Sequence, residues 1–162
     1  MVHDLARHNL QNLAGSSYLA IVSSKDKAIQ LLSDPKKSVR QACVSALSNI
    51  HGIDDKAALA LTKLCDDADP LVRSSARLSL ATFYRNHERA GWQSLLAQVV
   101  LDEGLEVPAR LGAYADLWRL CHDTSDAAFQ IQDVLNKASL DDLELSWVRS
   151  FVGGATFTKE EG

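Results

Sequence analysis

Two stretches of the chain decide its fold. Residues 33–47 read SDPKKSVRQACVSAL and residues 66–80 read DDADPLVRSSARLSL. Each stretch has an acidic turn with a proline, then a Val-Arg pair, then a run of small residues and leucine. Val39-Arg40 aligns with Val72-Arg73 at an offset of 33 residues. A period in the range of roughly 20–50 residues is typical of proteins that stack one supersecondary unit many times.

The same pattern recurs beyond these two stretches. A third copy begins at Pro108, with its Arg110 placed 37 residues after Arg73, and a fainter fourth starts at Trp147. The three prolines, Pro35, Pro70 and Pro108, stand where the second helix of each pair is predicted to begin. Proline suits that position because its missing N–H would have no helical partner there.

Apolar residues recur at spacings of three and four along nearly the whole chain, which is the period of an amphipathic helix. This pattern predicts about nine helices. The predicted breaks fall at 15–17, 33–35, 51–52, 66–70, 88–91, 102–108 and 122–125. Because the connections are short, neighbouring helices are expected to pack antiparallel.

The turn aspartate, the Val-Arg pair and the small and leucine residues after it resemble the HEAT-repeat family of armadillo-like α-solenoids, over about residues 25–152. The resemblance implies an all-α fold, a right-handed α-solenoid of about four stacked antiparallel helical hairpins. It also implies a ladder of hydrogen bonds between neighbouring repeats, in which each turn aspartate works with the arginine six residues later. The ladder residues would be Asp34, Arg40, Asp67 and Arg73. In the third repeat Gly104 takes the place of the turn aspartate, so Arg110 would lack its acid.

We expect one domain over residues 1–152, with a capping helix at 2–14 and repeats at about 18–51, 54–87, 90–122 and 125–152. A flexible tail is expected at 153–162, after a last helix that ends near Val152. The alternative for the end of the chain is a β-hairpin across Gly153-Gly154.

Stacking predicts buried columns, because one hairpin cannot bury the apolar stripes of both its helices alone. Equivalent positions of successive second helices should form each column. The columns are Val39, Val72 and Ala109; Cys43, Ala76 and Ala113; Leu47, Leu80 and Leu117; and Ile50, Phe83 and Leu120.

The same register assigns an outward surface to the second helices, on the concave side of the solenoid. The predicted binding residues are Gln41, Val44, Ser74, Arg77, Leu111, Tyr114 and Trp118. Aromatic residues beside an arginine are typical of interface hot spots. The alternative is that Tyr114 and Trp118 are packed beneath the last hairpin, since nine of the ten aromatic residues lie from Phe83 onward. The predicted function is a non-enzymatic protein–protein interaction module, an adaptor or scaffold.

Charge leaves a second function open. The chain has 17 basic and 21 acidic residues, so its net charge of −4 excludes a basic footprint over the whole domain. Residues 1–90 nevertheless carry 12 basic and 9 acidic side chains, against 5 and 12 in residues 91–162. The alternative function is therefore nucleic-acid or phospholigand binding. It would use a basic row made of Lys36, Lys37, Arg77, Arg85 and Arg89.

Catalytic chemistry has little support in the sequence. The histidines fall mostly at predicted helix ends, without metal-binding spacing, and no glycine-rich phosphate loop occurs. We therefore predict no catalytic residue, metal or cofactor. The three cysteines are odd in number and lie in apolar helical surroundings, which favours buried reduced thiols and a cytoplasmic protein. No apolar run approaches the roughly 20 residues of a membrane span, so no membrane association is predicted.

Overall fold

The computed structural model describes residues 15–122 and 132–153, and within those ranges it contains helices and connecting turns but no β-strand. The predicted all-α class is confirmed. The chain divides into two compact units, Met1–His87 and Glu88–Gly162. The capping helix expected at 2–14 and the tail after residue 153 lie outside the described residues.

The described part of the first unit, residues 15–87, contains five α-helices. They are α1 (Gly15–Ser23), α2 (Lys25–Leu31), α3 (Lys37–Ala46), α4 (Asp55–Thr62) and α5 (Pro70–Asn86). A π-helical turn, Leu47–His51, continues α3, and a 3-10 turn, Lys63–Asp66, continues α4. Helix α1 begins inside the break predicted at 15–17. An additional break falls at Ser24, whose extended backbone separates α1 from α2 and whose hydroxyl accepts a hydrogen bond from the Lys27 N–H at 3.2 Å.

Local sequence explains where these helices begin and end. The Asp69 carboxylate accepts hydrogen bonds from the N–H groups of Leu71 and Val72, both at 3.1 Å, and Pro70 follows as the first residue of α5. Gly52 ends the π-helical turn with φ 81° and ψ 155°, a conformation that only glycine adopts readily. The predicted role of the prolines holds for Pro70 and Pro108, which lie in the first turns of their helices, whereas Pro35 lies in the turn before α3.

The helices of the first unit pack as two successive hairpins. Helix α2 packs against α3, α4 packs against α5, and the second helices α3 and α5 contact each other. The predicted core positions Val39, Cys43, Leu47, Val72, Ala76, Leu80 and Phe83 are all buried. Ile50 is the exception at 48% exposed. It lies within the π-helical turn, whose wider winding displaces residues from the α-helical register.

The second unit contains α6 (Trp92–Val100), α7 (Val107–Cys121) and α8 (Leu145–Ser150), with a short helical turn at 132–135. Helix α6 packs against α7 and α8. Ala113 and Leu117 are buried as predicted, but Ala109 is exposed and Leu120 only half-buried. The buried side of α7 includes Leu111, Tyr114, Ala115 and Leu117, which leaves Ala109 at its edge.

The last helix in the described ranges, α8, ends at Ser150 and a turn follows to Gly153, so the helix ends two residues before the predicted end near Val152. The start of the fourth predicted repeat falls at residues 123–131, outside the described ranges. No helix in those ranges is both long and apolar enough to cross a bilayer.

Candidate interaction surface

The surface predicted on the second helices is mostly buried. Four of its seven residues, Val44, Ser74, Leu111 and Tyr114, are buried, so the expectation that they are exposed is wrong. Helix α3 contacts α1, α2 and α5, so its neighbours cover a wider arc of its surface than one apolar stripe. Gln41 is half-buried and donates from Nε2 to the Ser75 hydroxyl at 2.9 Å.

At one position of α3 and one of α5, the next residue along the helix is the more exposed one. Ser45 is half-buried and Leu78 is exposed, whereas Val44 is buried and Arg77 has a side chain only 12% exposed. One residue rotates the direction of a helical side chain by about 100°. The sequence contained this signal in α3, where position 44 is apolar and position 45 is polar, but not in α5, where the largely buried Arg77 precedes the exposed Leu78.

A groove of about 500 Å³ opens between the ends of the two second helices. We call it the α3–α5 groove. It is formed by the π-helical turn after α3, the connection to α4 and the last turns of α5. Its lining residues are Ser48, Asn49, Ile53, Leu78, Ser79, Thr82, Phe83, Asn86 and His87.

The lining of the α3–α5 groove combines six polar and three apolar residues. The Ser48 and Ser79 hydroxyl oxygens are 2.6 Å apart, which joins the two walls. The Thr82 hydroxyl donates to the Leu78 carbonyl at 3.0 Å, and Asn49 Nδ2 donates to the Ser45 carbonyl at 2.9 Å. None of the described side chains that line the groove is Asp, Glu, Lys or Arg. The groove therefore offers hydroxyl and amide groups beside an apolar wall of Ile53, Leu78 and Phe83.

The four predicted ladder residues come together at the hairpin turns of the first unit. Arg40 bonds the Asp67 carboxylate of the next turn through both edges of its fork, Nε to Oδ2 at 2.8 Å and Nη2 to Oδ1 at 2.9 Å. Its Nη1 donates to the carbonyls of Asp34 and Pro35, both at 3.0 Å. Arg73 contacts its own turn in the same way. It donates from Nη1 to the carbonyl of Asp67 at 3.3 Å and to the carbonyl of Ala68 at 3.2 Å. Arg40 and Arg73 therefore each bind their own turn through carbonyl oxygens. Arg40 also binds the following turn through the Asp67 carboxylate.

Electrostatics favour the charged form of Asp67. Burial raises the pKa of this carboxyl, but the hydrogen bonds from Arg40 and from the Asp69 amide outweigh burial and hold the pKa below its usual range. The pair is largely withdrawn from solvent on both sides. It is therefore a structural contact and not a site for a ligand.

The third turn has its aspartate at a different position from the one expected. Asp102 Oδ1 accepts from the Gly104 N–H at 3.0 Å. Asp34 and Asp67 accept from the N–H two residues later in the same way, both at 2.9 Å. The turn aspartate is therefore Asp102, two residues before Gly104. The third turn is two residues longer than the turns that begin at Asp34 and Asp67. Arg110 donates from Nε to the Val100 carbonyl at 2.7 Å.

The predicted basic row does not form a continuous track within the first unit. Lys36 and Lys37 are exposed at the start of α3, where Lys37 lies 3.6 Å from Asp69, the cap of α5. Arg85 lies in the last turn of α5, and that helix of 17 residues puts about 24 Å between its ends. Between them, the Arg77 side chain is mostly buried and lies 3.7 Å from Asp66. Arg89 is exposed in the second unit.

Aromatic rings of the second unit form a packed cluster. Tyr114 is buried, and its ring lies 6.0 Å from that of Trp147 on α8. Trp118 is half-buried, 5.4 Å from Trp147 and stacked at 3.8 Å on His122. Burial also raises the pKa of the Tyr114 hydroxyl. Tyr114 is therefore packed against α8 and is not part of an open binding patch.

Histidines and cysteines have structural surroundings. His51, His87 and His122 lie at helix ends as predicted, each with a ring nitrogen within 3.1 Å of a backbone carbonyl oxygen. Burial raises the pKa of the Cys43 thiol to about 12 and that of Cys65 to about 11. Cys121 is exposed, contrary to the expectation of a buried thiol. The described part of the chain contains no group of three or more side chains suited to a metal ion. His3 and His8 lie outside it.

Residues 5–81 match the family model for HEAT repeats. The match includes both hairpins of the first unit as far as the middle of α5. No curated protein and no solved structure matches the chain at a significant level.

Proposed function

Because residues 5–81 match the family model for HEAT repeats, we propose that the chain is a non-enzymatic protein–protein interaction module whose partner binds in the α3–α5 groove. The observation that carries this proposal is the groove itself, an open space of about 500 Å³ with neutral polar groups beside an apolar wall. Binding sites are typically concave and have a volume of roughly 300–1,000 Å³, with a few polar groups to orient the ligand.

The walls of the groove are held in place before any partner arrives. The Ser48–Ser79 contact, the Gln41–Ser75 hydrogen bond and the Arg40–Asp67 pair all join α3 or its turn to the second hairpin. A surface that is already ordered loses less conformational entropy on binding. This supports a recognition role in which the partner adapts to the module.

An adaptor needs no reactive group, and the groove suits that role. The Ser48 and Ser79 hydroxyls bond to each other, and Asn49 and Thr82 bond to backbone carbonyls. The buried thiols of Cys43 and Cys65 and the exposed thiol of Cys121 suit a reducing compartment, so we place the module in the cytoplasm.

Photocrosslinking tests the proposal. A photoreactive amino acid at Thr82 lines the groove, and one at Leu71 lies on the same face of α5, three turns earlier and outside the groove. In an extract of the cells that make the protein, we expect a defined protein to be crosslinked from position 82 and not from position 71. Adding Leu78→Arg should abolish that crosslink while leaving the helical circular dichroism unchanged. Equal crosslinking from both positions, or a crosslink that survives Leu78→Arg, would place the partner elsewhere.

A further inference from the structure

The charges around the α3–α5 groove restrict what binds there. Its described lining side chains include no acid, lysine or arginine. The Arg77 guanidinium, on the same helix, is mostly buried and lies near Asp66. A charged partner side chain placed in this groove would find no carboxylate, ammonium or guanidinium group in the lining to pair with. The lining therefore favours an uncharged partner segment.

The length of the groove fits a short extended chain. Along α5 the lining runs from Leu78 to His87, a rise of about 13 Å. An extended chain rises about 3.3 Å per residue, so about four residues span the same distance.

The lining also matches the polar groups of an extended backbone, whose N–H and C=O groups need partners once they leave water. Asn49 uses its Nδ2 within its own helix, which leaves Oδ1 as an acceptor. The Thr82 hydroxyl donates to a carbonyl of its own helix and keeps its lone pairs. The exposed Asn86 amide offers both a donor and an acceptor at the end of the groove.

The apolar wall of the groove also restricts the side chains of the partner. Leu78 is 38% exposed, and Ile53 and Phe83 lie beside it in the lining. Such a wall in a rigid groove is suited to a single large aliphatic or aromatic anchor. On the basis of the proposed function, we infer that the partner presents an uncharged, extended peptide segment of about four residues that carries one large apolar side chain.

Selection from a displayed library of random short peptides on the immobilised full chain tests this inference. We expect the enriched peptides to share one large apolar residue flanked by uncharged residues. An enriched peptide, synthesised with a fluorophore, should bind about tenfold more weakly when its apolar residue becomes alanine or a flanking residue becomes Lys or Glu. Its affinity should change less than about twofold between about 0.05 and 0.5 M NaCl, since salt screens charge–charge attraction.

Two variants of the protein are the matched controls. Leu78→Arg adds a long cation inside the groove and should weaken peptide binding at least about tenfold. Leu71→Arg makes the same change two turns earlier on the same face of the same helix and should leave binding within about twofold. Enrichment of acidic, basic or helix-forming peptides, or affinity that falls steeply with salt, would overturn the inferred peptide class. So would equal enrichment on the protein and on its Leu78→Arg variant. Crosslinking from Thr82 reports on the groove independently of these results, so the two proposals fail separately.

Discussion

Arg40 joins two hairpins by using every edge of its guanidinium. One edge holds the carbonyls of its own turn, and the fork formed by Nε and Nη2 holds the Asp67 carboxylate of the next turn. Charge-assisted bidentate contacts of this type are stronger and more directional than neutral hydrogen bonds. Because both partners are largely buried, removing one leaves the other with neither water nor an opposite charge to bond to.

Replacing Asp67 with asparagine keeps the size of the side chain and removes its charge. We expect Asp67→Asn to lower the free energy of unfolding at neutral pH by about 2–3 kcal/mol, the usual scale for a hydrogen bond to a charged group that is partly buried. Urea denaturation measures the change. Asp26→Asn is the control, because its pair with Lys56 is exposed on both sides, and it should cost less than about 1 kcal/mol. Equal effects of the two variants would contradict a special role for the buried pair.

The same variant predicts a pH dependence. The pKa of Asp67 is lower in the folded protein than its ordinary value of about 3.9, so its contribution to stability is present above that value and is lost as the pH falls through the folded pKa. The stability difference between the parent and Asp67→Asn should stay constant from about pH 7 to 5 and narrow toward about pH 3. A difference that widens in acid would show that the charged carboxylate does not stabilise the fold.

Two glycines should respond in opposite directions to the same substitution. Gly112 lies within α7 with open space where a Cβ would stand, so Gly112→Ala should raise the free energy of unfolding by about 0.5–1 kcal/mol. Gly52 also has open space, but its φ of +81° strains any other residue, so Gly52→Ala should cost about 1–3 kcal/mol. Thermal melts of the two variants measure both changes. A Gly52→Ala variant as stable as the parent would contradict the strain.

At the scale of helices, the part of the fold that was predictable from the sequence is the part set by local rules. Pro70, Pro108 and the three-to-four spacing predicted the helices of the hairpins, and the columns through Cys43 and Leu47 are buried as predicted. The binding surface was not predictable in the same way, since exposure depends on how many neighbours cover a helix. Helix α3 has three, so Val44 is buried although it lies off the predicted apolar stripe. The packing of Tyr114 likewise depends on Trp147, 33 residues later in the chain.

The π-helical turn predicts different costs for two positions that align in the sequence. Ile50 and Phe83 are equivalent by repeat offset, but Ile50 is half-exposed and Phe83 is buried. We expect Ile50→Ala to cost less than about 1 kcal/mol and Phe83→Ala about 3–5 kcal/mol in free energy of unfolding. Chemical denaturation of both variants measures these changes in the free energy of unfolding. Similar large losses at both positions would mean that the regular helical register, with Ile50 in the core, is correct.

At the scale of the whole molecule, the boundary between the two compact units coincides with a distinctive run of residues. All residues from 85 to 91 are exposed, the longest such run in the described ranges, and Glu88 and Gly91 have positive φ. Exposed segments of this kind are preferred sites of proteolysis. The units also differ in charge, with 11 basic and 8 acidic residues up to His87 and 6 and 13 after it.

Limited trypsin digestion should therefore cut first after Arg85 or Arg89, among the cleavage sites in the described part of the chain. Mass spectrometry of the early fragments identifies the cut. Cleavage at Arg40 or Arg73, which are half-buried and bonded to their turns, should follow later. Early cleavage at either of those two arginines would contradict a stable first unit.

The repeated contact of Arg40 and Arg73 with their own turns has a consequence for lengthening the protein. Residues 34–66 begin at one turn aspartate and end just before the next, and each turn presents both the carbonyls and the carboxylate that an arginine requires. A gene with this 33-residue segment inserted a second time in tandem would give every added arginine a carboxylate in the turn that follows it. The segment is therefore a natural unit of duplication, with its joining chemistry contained within its own ends.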